Sequence, residues 1–142
     1  MRALLDVNVL IALLDSDHTS HAVAFSWFKE HAGGGWASSP ITQNGCIRIM
    51  ANPGYPNTLP IQSVMKRLAD ACEDGVHEFW SDDVSLLDPT TVDSTRIHGP
   101  RQLTDIYLLA LAVRHEGRFV TFDTGIPLAA VRKATAGNLV VL

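Results

Sequence analysis

The sequence predicts an α/β protein in which helices cover both faces of a central, mainly parallel sheet of about five strands. Short apolar runs alternate with longer segments of helical periodicity, which is the pattern of strands joined by crossover helices. Two of the apolar runs are followed at once by an aspartate, Asp6 and Asp123. A third aspartate, Asp105, stands in the first turn of the most apolar predicted helix.

The first half of the chain is predicted to hold two strands and four helices. The apolar run at residues 3–5 predicts the first strand, and residues 8–14 continue as a helix with Asn8 as its N-cap. Aromatic residues at helical spacing predict a helix at 18–31, which three consecutive glycines end. A short strand is expected at 36–38, and a turn-rich loop separates the helices expected at 42–50 and 60–73.

The second half is predicted to hold three strands and the most apolar helix. Residues 77–80 predict a strand, and the polar residues 81–99 follow it with a helical turn near 85–87. The helix expected at 104–115 is almost wholly apolar inside, so it should be packed on more than one side. A short helix or turn is expected at 125–131, between the last two strands, which are expected at 118–122 and 139–142.

Composition predicts one domain, residues 1–142, with its own core, because the chain is 46% hydrophobic and 18% charged. The formal net charge of -4 gives no global case for nucleic-acid binding, unless bound cations neutralise clustered aspartates. Two cysteines, Cys46 and Cys72, are too few for a disulfide framework and are expected to be reduced. No apolar run approaches the roughly 20 residues of a membrane span, so a cytoplasmic protein without membrane contact is expected.

The three aspartates are the strongest functional signal. Taken singly, an aspartate after a strand is usually a turn residue, and one at a helix start is usually a cap. Strand ends and the following helix starts share one edge of a parallel sheet, so Asp6, Asp105 and Asp123 are expected to meet there. Without a cation they would repel each other, and hard oxygen ligands suit Mg²⁺ or Mn²⁺. Such a site can activate water for phosphodiester hydrolysis.

Three stretches resemble PIN-domain nucleases: LLDVNVL at residues 4–10, LTDIYLLALA at 103–112 and VTFD at 120–123. The pieces SPITQNG at 39–45 and GPRQLTD at 99–105 resemble the VapC-type toxins of bacterial toxin–antitoxin pairs. The resemblance implies a three-layer α/β/α fold and a metal-dependent endoribonuclease. Asp6 and Asp105 would be the main metal ligands, Asp123 would complete the pocket, and Asn8 would help to orient the RNA substrate. A VapB-like antitoxin and a homodimer are the implied partners.

One departure from the family concerns the helix after the second strand, where members commonly carry a glutamate. Residues 42–48 contain no acid, so Asn44 is expected to take that role, with Gln43 as the alternative. Arg48 and Arg101 are expected to meet RNA phosphates at the rim. A receiver domain is disfavoured because Asp6 has no acidic neighbour, and a haloacid-type phosphatase because Asp-x-Asp is absent. A PIN-like binding module with decayed catalysis stays open.

Overall fold

A computed structural model describes all of residues 1–142 and contains one five-stranded sheet. Every strand pairing is parallel, and the spatial order is β3-β2-β1-β4-β5. This confirms the predicted parallel sheet. The strands are β1 Ala3–Leu5, β2 Trp36–Ser38, β3 His77–Phe79, β4 Arg118–Thr121 and β5 Leu139–Val141.

Five α-helices connect the strands, close to the five predicted. They are α1 Val7–Leu14, α2 His21–His31, α3 Pro40–Met50, α4 Ile61–Cys72 and α5 Leu103–Arg114. None of them has the length and hydropathy of a membrane-spanning segment. A short 3-10 helix at Leu128–Ala130 lies inside the segment predicted as a short helix or turn.

The starts of three helices differ from the prediction, and α2 begins at His21, three residues later than expected. The predicted N-cap Asn8 is wrong, because the cap of α1 is Asp6, whose side chain accepts a hydrogen bond from the Val7 N–H. Helix α3 begins two residues earlier than predicted. Ser39 caps it, a reciprocal capping box joins Ser39 to Thr42, and Pro40 occupies the first helical position, where its missing N–H has no consequence.

The core consists of two layers, one on each face of the sheet. Side chains alternate across β1, so Leu5 packs in the layer of α1 to α4 and Leu4 packs in the layer of α5. Six residues of α5 are buried, in agreement with the predicted packing on several sides. The central pair β1 and β4 is in register with Leu5 opposite Val120, which brings Asp6 beside Thr121 at the carboxyl edge of the sheet.

Candidate metal centre

Three carboxylates converge at the carboxyl edge of the central strands. Asp6 follows β1, Asp123 follows β4, and Asp105 lies in the first turn of α5. Each offers an oxygen that lies within 4.8 Å of the oxygens of the other two. Asp6 is buried, Asp105 is half-buried and Asp123 is exposed, so the cluster opens to solvent on one side.

Asp6 is held by donors on both of its carboxylate oxygens. Its Oδ1 accepts from the Val7 N–H at 2.7 Å, and its Oδ2 accepts from the Thr121 hydroxyl at 2.6 Å. Its own backbone N–H donates to the Val120 carbonyl at 2.9 Å and so extends the pairing of β1 with β4. The orientation of Asp6 is therefore fixed by both strands of the central pair.

Thr121 was missed by the sequence reasoning. Its side chain is fully buried, and its Oγ1 also accepts from the Asp123 N–H at 3.0 Å. One hydroxyl thus connects two of the three aspartates. The signal that could have found it is a polar residue at the buried end of an apolar strand, two positions before Asp123.

Asn8 lies beside this network and ties α1 to the end of β4. Its Oδ1 accepts from the Phe122 N–H at 3.3 Å, and its Nδ2 lies 3.5 Å from the Thr121 Oγ1. These contacts give the Asn8 side chain a structural role next to Asp6. Its predicted contact with substrate stays a prediction.

The cluster concentrates negative charge. Burial raises the pKa of Asp6, while hydrogen bonds from Thr121 and Val7 lower it in part and Asp123 raises it further. Burial, together with the charges of Asp6 and Asp123, raises the pKa of Asp105 to about 6. A divalent cation between the carboxylates would relieve this repulsion, and three carboxylates are a hard donor set that fits Mg²⁺ or Mn²⁺.

Arg101 shares a surface pocket with two of the aspartates, Asp105 and Asp123. The pocket has a volume of about 410 Å³ and also contains Gln102 and residues 124–126. Arg48 lies elsewhere. It is exposed on α3 and lines a different surface pocket with Asn52 and Tyr55. Helix α3 begins at the carboxyl edge, and Arg48 is eight residues beyond Pro40, or about 12 Å along the helix.

The missing glutamate leaves three neighbouring positions on α3 to compare. Asn44 is exposed and lines a groove between α3 and α4 with Ile61 and Met65. Gln43 donates from its Nε2 to the Ser38 Oγ at 2.9 Å. The residue that approaches the start of α1 is Gly45, where a Cβ would lie 2.7 Å from the Val7 Cγ2. No hydrogen bond joins Asn44 or Gln43 to the aspartates, and the role of Asn44 stays a prediction.

A parallel sheet with three carboxylates at its carboxyl edge defines an α/β protein with an acidic, metal-type site, and comparisons with known proteins narrow this class. The PIN domain model matches residues 3–133. Ribonuclease VapC44 of Mycobacterium tuberculosis is 52% identical over 142 residues, covering 100% of both chains. Ribonuclease VapC39 of the same species is 42% identical over 144 residues, also covering 100% of both. The chain therefore belongs to the PIN-domain family and, within it, to the VapC group.

Two solved structures share the fold at low sequence identity. The sarcin-ricin loop cleaving toxin VapC20 of Mycobacterium tuberculosis aligns with a TM-score of 0.58 at 9% identity, over 87% of this chain and 89% of that one. VapBC2 of Rickettsia felis, bound to a DNA fragment from its promoter, aligns with a TM-score of 0.57 at 13% identity, over 100% and 98%. Both likenesses confirm the PIN-like architecture.

Proposed function

We propose that residues 1–142 form a single nuclease domain that acts as a Mg²⁺- or Mn²⁺-dependent endoribonuclease, the toxin of a toxin–antitoxin pair in the cytoplasm. The observation that carries this proposal is the convergence of Asp6, Asp105 and Asp123 within 4.8 Å. The relatives that share 52% and 42% of their residues over their whole length are named ribonucleases, which supports RNA as the substrate.

The three aspartates would hold the ion, since they supply the oxygen ligands that hard cations require. When bound, a divalent cation acts as a Lewis acid that lowers the pKa of water and offsets charge at the phosphodiester. The protein's own residues position the ligands and bind the substrate. Thr121 and the Val7 N–H fix Asp6, and the Arg101 guanidinium binds phosphate oxygens at the pocket.

Asn44 is the proposed substitute for the family's glutamate, with Gln43 as the alternative. The Asn44 side chain forms no hydrogen bond within the protein, whereas the Gln43 amide is already bonded to Ser38. Replacing either residue by alanine and measuring cleavage and Mn²⁺ affinity separates the two. If neither Asn44→Ala nor Gln43→Ala changes either quantity, the site uses three carboxylates alone.

The deciding experiment is cleavage of RNA by the purified protein with and without a chelator. We expect cleavage only with Mg²⁺ or Mn²⁺, and none by Asp6→Asn or Asp105→Asn. Asp17→Asn is the matched control, because Asp17 is exposed and lies outside the cluster. Cleavage that persists in the chelator, or full activity in both cluster variants, contradicts the proposal.

A catalytically weak PIN-like module that binds RNA or protein is the second candidate. It is favoured by one observation, the absence of any acid from α3. The same assay decides, since this module would bind RNA without cutting it under any metal condition.

The proposed partners are a VapB-like antitoxin and a second copy of this chain in a homodimer. The fold relative VapBC2 of Rickettsia felis, bound to a DNA fragment from its promoter, supports a VapB-like partner. Two helices of this protein present half-exposed apolar side chains that a partner could cover, Val23 and Phe25 on α2 and Ile61 and Met65 on α4.

A further inference from the structure

The segment that precedes α5 carries three basic side chains, Arg96, His98 and Arg101, and no acid between Asp93 and Asp105. All three are exposed, and none takes part in an ion pair. We infer that these side chains form a phosphate-binding strip that guides an RNA strand into the carboxylate pocket. The inference rests on the proposed function and extends it from the reacting phosphate to the neighbouring ones.

The backbone of the strip is held in place without using its basic groups. At its start, the Asp93 Oδ1 accepts from the Thr95 N–H at 3.1 Å and from the Thr95 hydroxyl at 2.6 Å. At its end, the His98 N–H donates to the Gln102 Oε1 at 2.8 Å. The strip is therefore ordered before any ligand arrives, which lowers the entropic cost of binding.

Ile97 anchors the middle of the basic segment to the core. It packs against the core layer of α5, while its neighbours Arg96 and His98 are exposed. Ile97 follows the short 3-10 helix Ser94–Arg96 and is itself extended, with φ -93 and ψ 120. The half-buried Ile97 thus anchors the segment to the core, while Arg96 and His98 on either side of it remain exposed.

The strip ends at the metal centre. Arg101, its last member, lines the pocket that contains Asp105 and Asp123. The five residue steps from Arg96 to Arg101 span at most about 17 Å, a length that serves a few nucleotides. A basic path beside an active site is how proteins follow a nucleic-acid backbone without reading its sequence.

Arginine and histidine fit phosphate for chemical reasons. A guanidinium presents paired N–H groups to two phosphate oxygens, and an imidazole offers an N–H donor in either tautomer. Contacts of this kind contribute affinity and do not touch the bond that is cut. Loss of Arg96 should therefore raise KM and leave kcat unchanged.

The test compares Arg96→Gln with Arg114→Gln. Both variants remove one positive charge from an exposed arginine, but Arg114 ends α5, nine residues and about 13 Å from Asp105. Binding is measured in the Asp105→Asn background, by fluorescence anisotropy of a labelled single-stranded RNA of mixed sequence at several salt concentrations. The KM and kcat of RNA cleavage are measured for the same two substitutions in the otherwise unchanged chain.

The logarithm of the RNA-binding constant falls linearly with the logarithm of the salt concentration, and we expect Arg96→Gln to make this slope shallower by about 0.7. The same substitution should raise the KM for RNA about fivefold at constant kcat. Arg114→Gln should leave both quantities unchanged. Equal salt slopes and equal KM values in the two variants would contradict the proposed phosphate-binding strip. Failure of the proposed function would give a different result, because the wild-type protein would then cut no RNA. The salt dependence of RNA binding would still show whether Arg96 contacts phosphate.

Discussion

The Thr121 hydroxyl is the smallest group on which the acidic site depends. It donates to Asp6 at 2.6 Å and accepts from the Asp123 N–H at 3.0 Å, inside a fully buried position. Loss of a residue that orients a metal ligand typically lowers metal affinity by about 10- to 100-fold. Thr121 is accordingly a positioning residue that acts through Asp6.

Thr121→Val keeps the shape of the side chain and removes its hydroxyl. We expect Mn²⁺ affinity to fall about 10- to 100-fold, because Asp6 loses the donor that orients it. Thr121→Ser retains the hydroxyl and should stay near the wild-type value. Titration calorimetry with Mn²⁺ measures both. Equal Mn²⁺ affinities in the valine and serine variants would show that the Thr121 hydroxyl does not support metal binding.

Asp105 links the site to pH. Its folded pKa of about 6 lies above the ordinary value of 3.8, so folding disfavours its ionised form. In the metal-free protein this penalty is absent below about pH 4, grows as pH rises and is complete above about 6. Asp105→Asn should therefore stabilise the metal-free protein at neutral pH by about 1 kcal/mol, a figure reduced for the solvent that reaches this side chain.

Thermal unfolding in a chelator at pH 4 and at pH 7.5 measures this effect. The gain in Tm of Asp105→Asn over the wild type should appear at pH 7.5 and vanish at pH 4. Asp17→Asn, the exposed control, should show no such difference. A gain of the same size at both pH values would mean that Asp105 is not held at a raised pKa.

At the scale of elements, the contact of α3 with α1 sets the position of the first aspartate. Gly45 lies so close to α1 that a Cβ would be 2.7 Å from the Val7 Cγ2, and Val7 directly follows Asp6. Alanine is favoured over glycine in a helix by about 1 kcal/mol, but overpacking a core costs about 1–3 kcal/mol. The steric cost of the added methyl group should therefore exceed the gain in helix propensity.

Gly45→Ala is thus expected to lower the free energy of unfolding by about 1–2 kcal/mol. Val7→Ala removes the opposing methyl groups, so the double variant should recover part of that loss. Urea denaturation of the two single variants and the double variant measures the coupling. Strictly additive effects would show that Gly45 and Val7 do not limit the approach of α3.

Elements also show how far the sequence could lead. The parallel strands and the convergence of Asp6, Asp105 and Asp123 were predictable, because alternation and strand ends are local patterns with a fixed geometric meaning. The cap of α1 was not, since Asp6 takes that role within a network whose partner, Thr121, lies 115 residues away. The orientation of Gln43 and Asn44 was not either. Adjacent helical residues differ by about 100° in direction, and only the packing of α3 against α1 fixes that phase.

At the scale of the whole molecule, the net charge of -4 gives the protein no overall electrostatic attraction for RNA. A protein of this charge attracts RNA only through local features, and the carboxylate site is attractive only when cations neutralise it. Activity should therefore depend on metal for two reasons, the chemistry at the phosphodiester and the approach of the strand.

The proposed toxin function predicts an effect on bacterial growth. Expression of the protein alone in bacteria should arrest growth, and expression of Asp105→Asn at the same level should not. Co-expression with a short upstream reading frame that encodes the antitoxin should restore growth. Normal growth with abundant, folded wild-type protein would favour the binding-module alternative.

The pairing of β1 with β4 has a consequence for how the protein is made. The two strands are neighbours in the sheet, yet Asp6 emerges from the ribosome more than a hundred residues before Thr121 and Asp123. At about 5–20 residues per second, the acidic cluster stays incomplete through most of translation. A nascent or prematurely terminated chain that stops before β4 lacks two of the groups that build the site. The three carboxylates can therefore come together only after β4 and Asp123 have been synthesised.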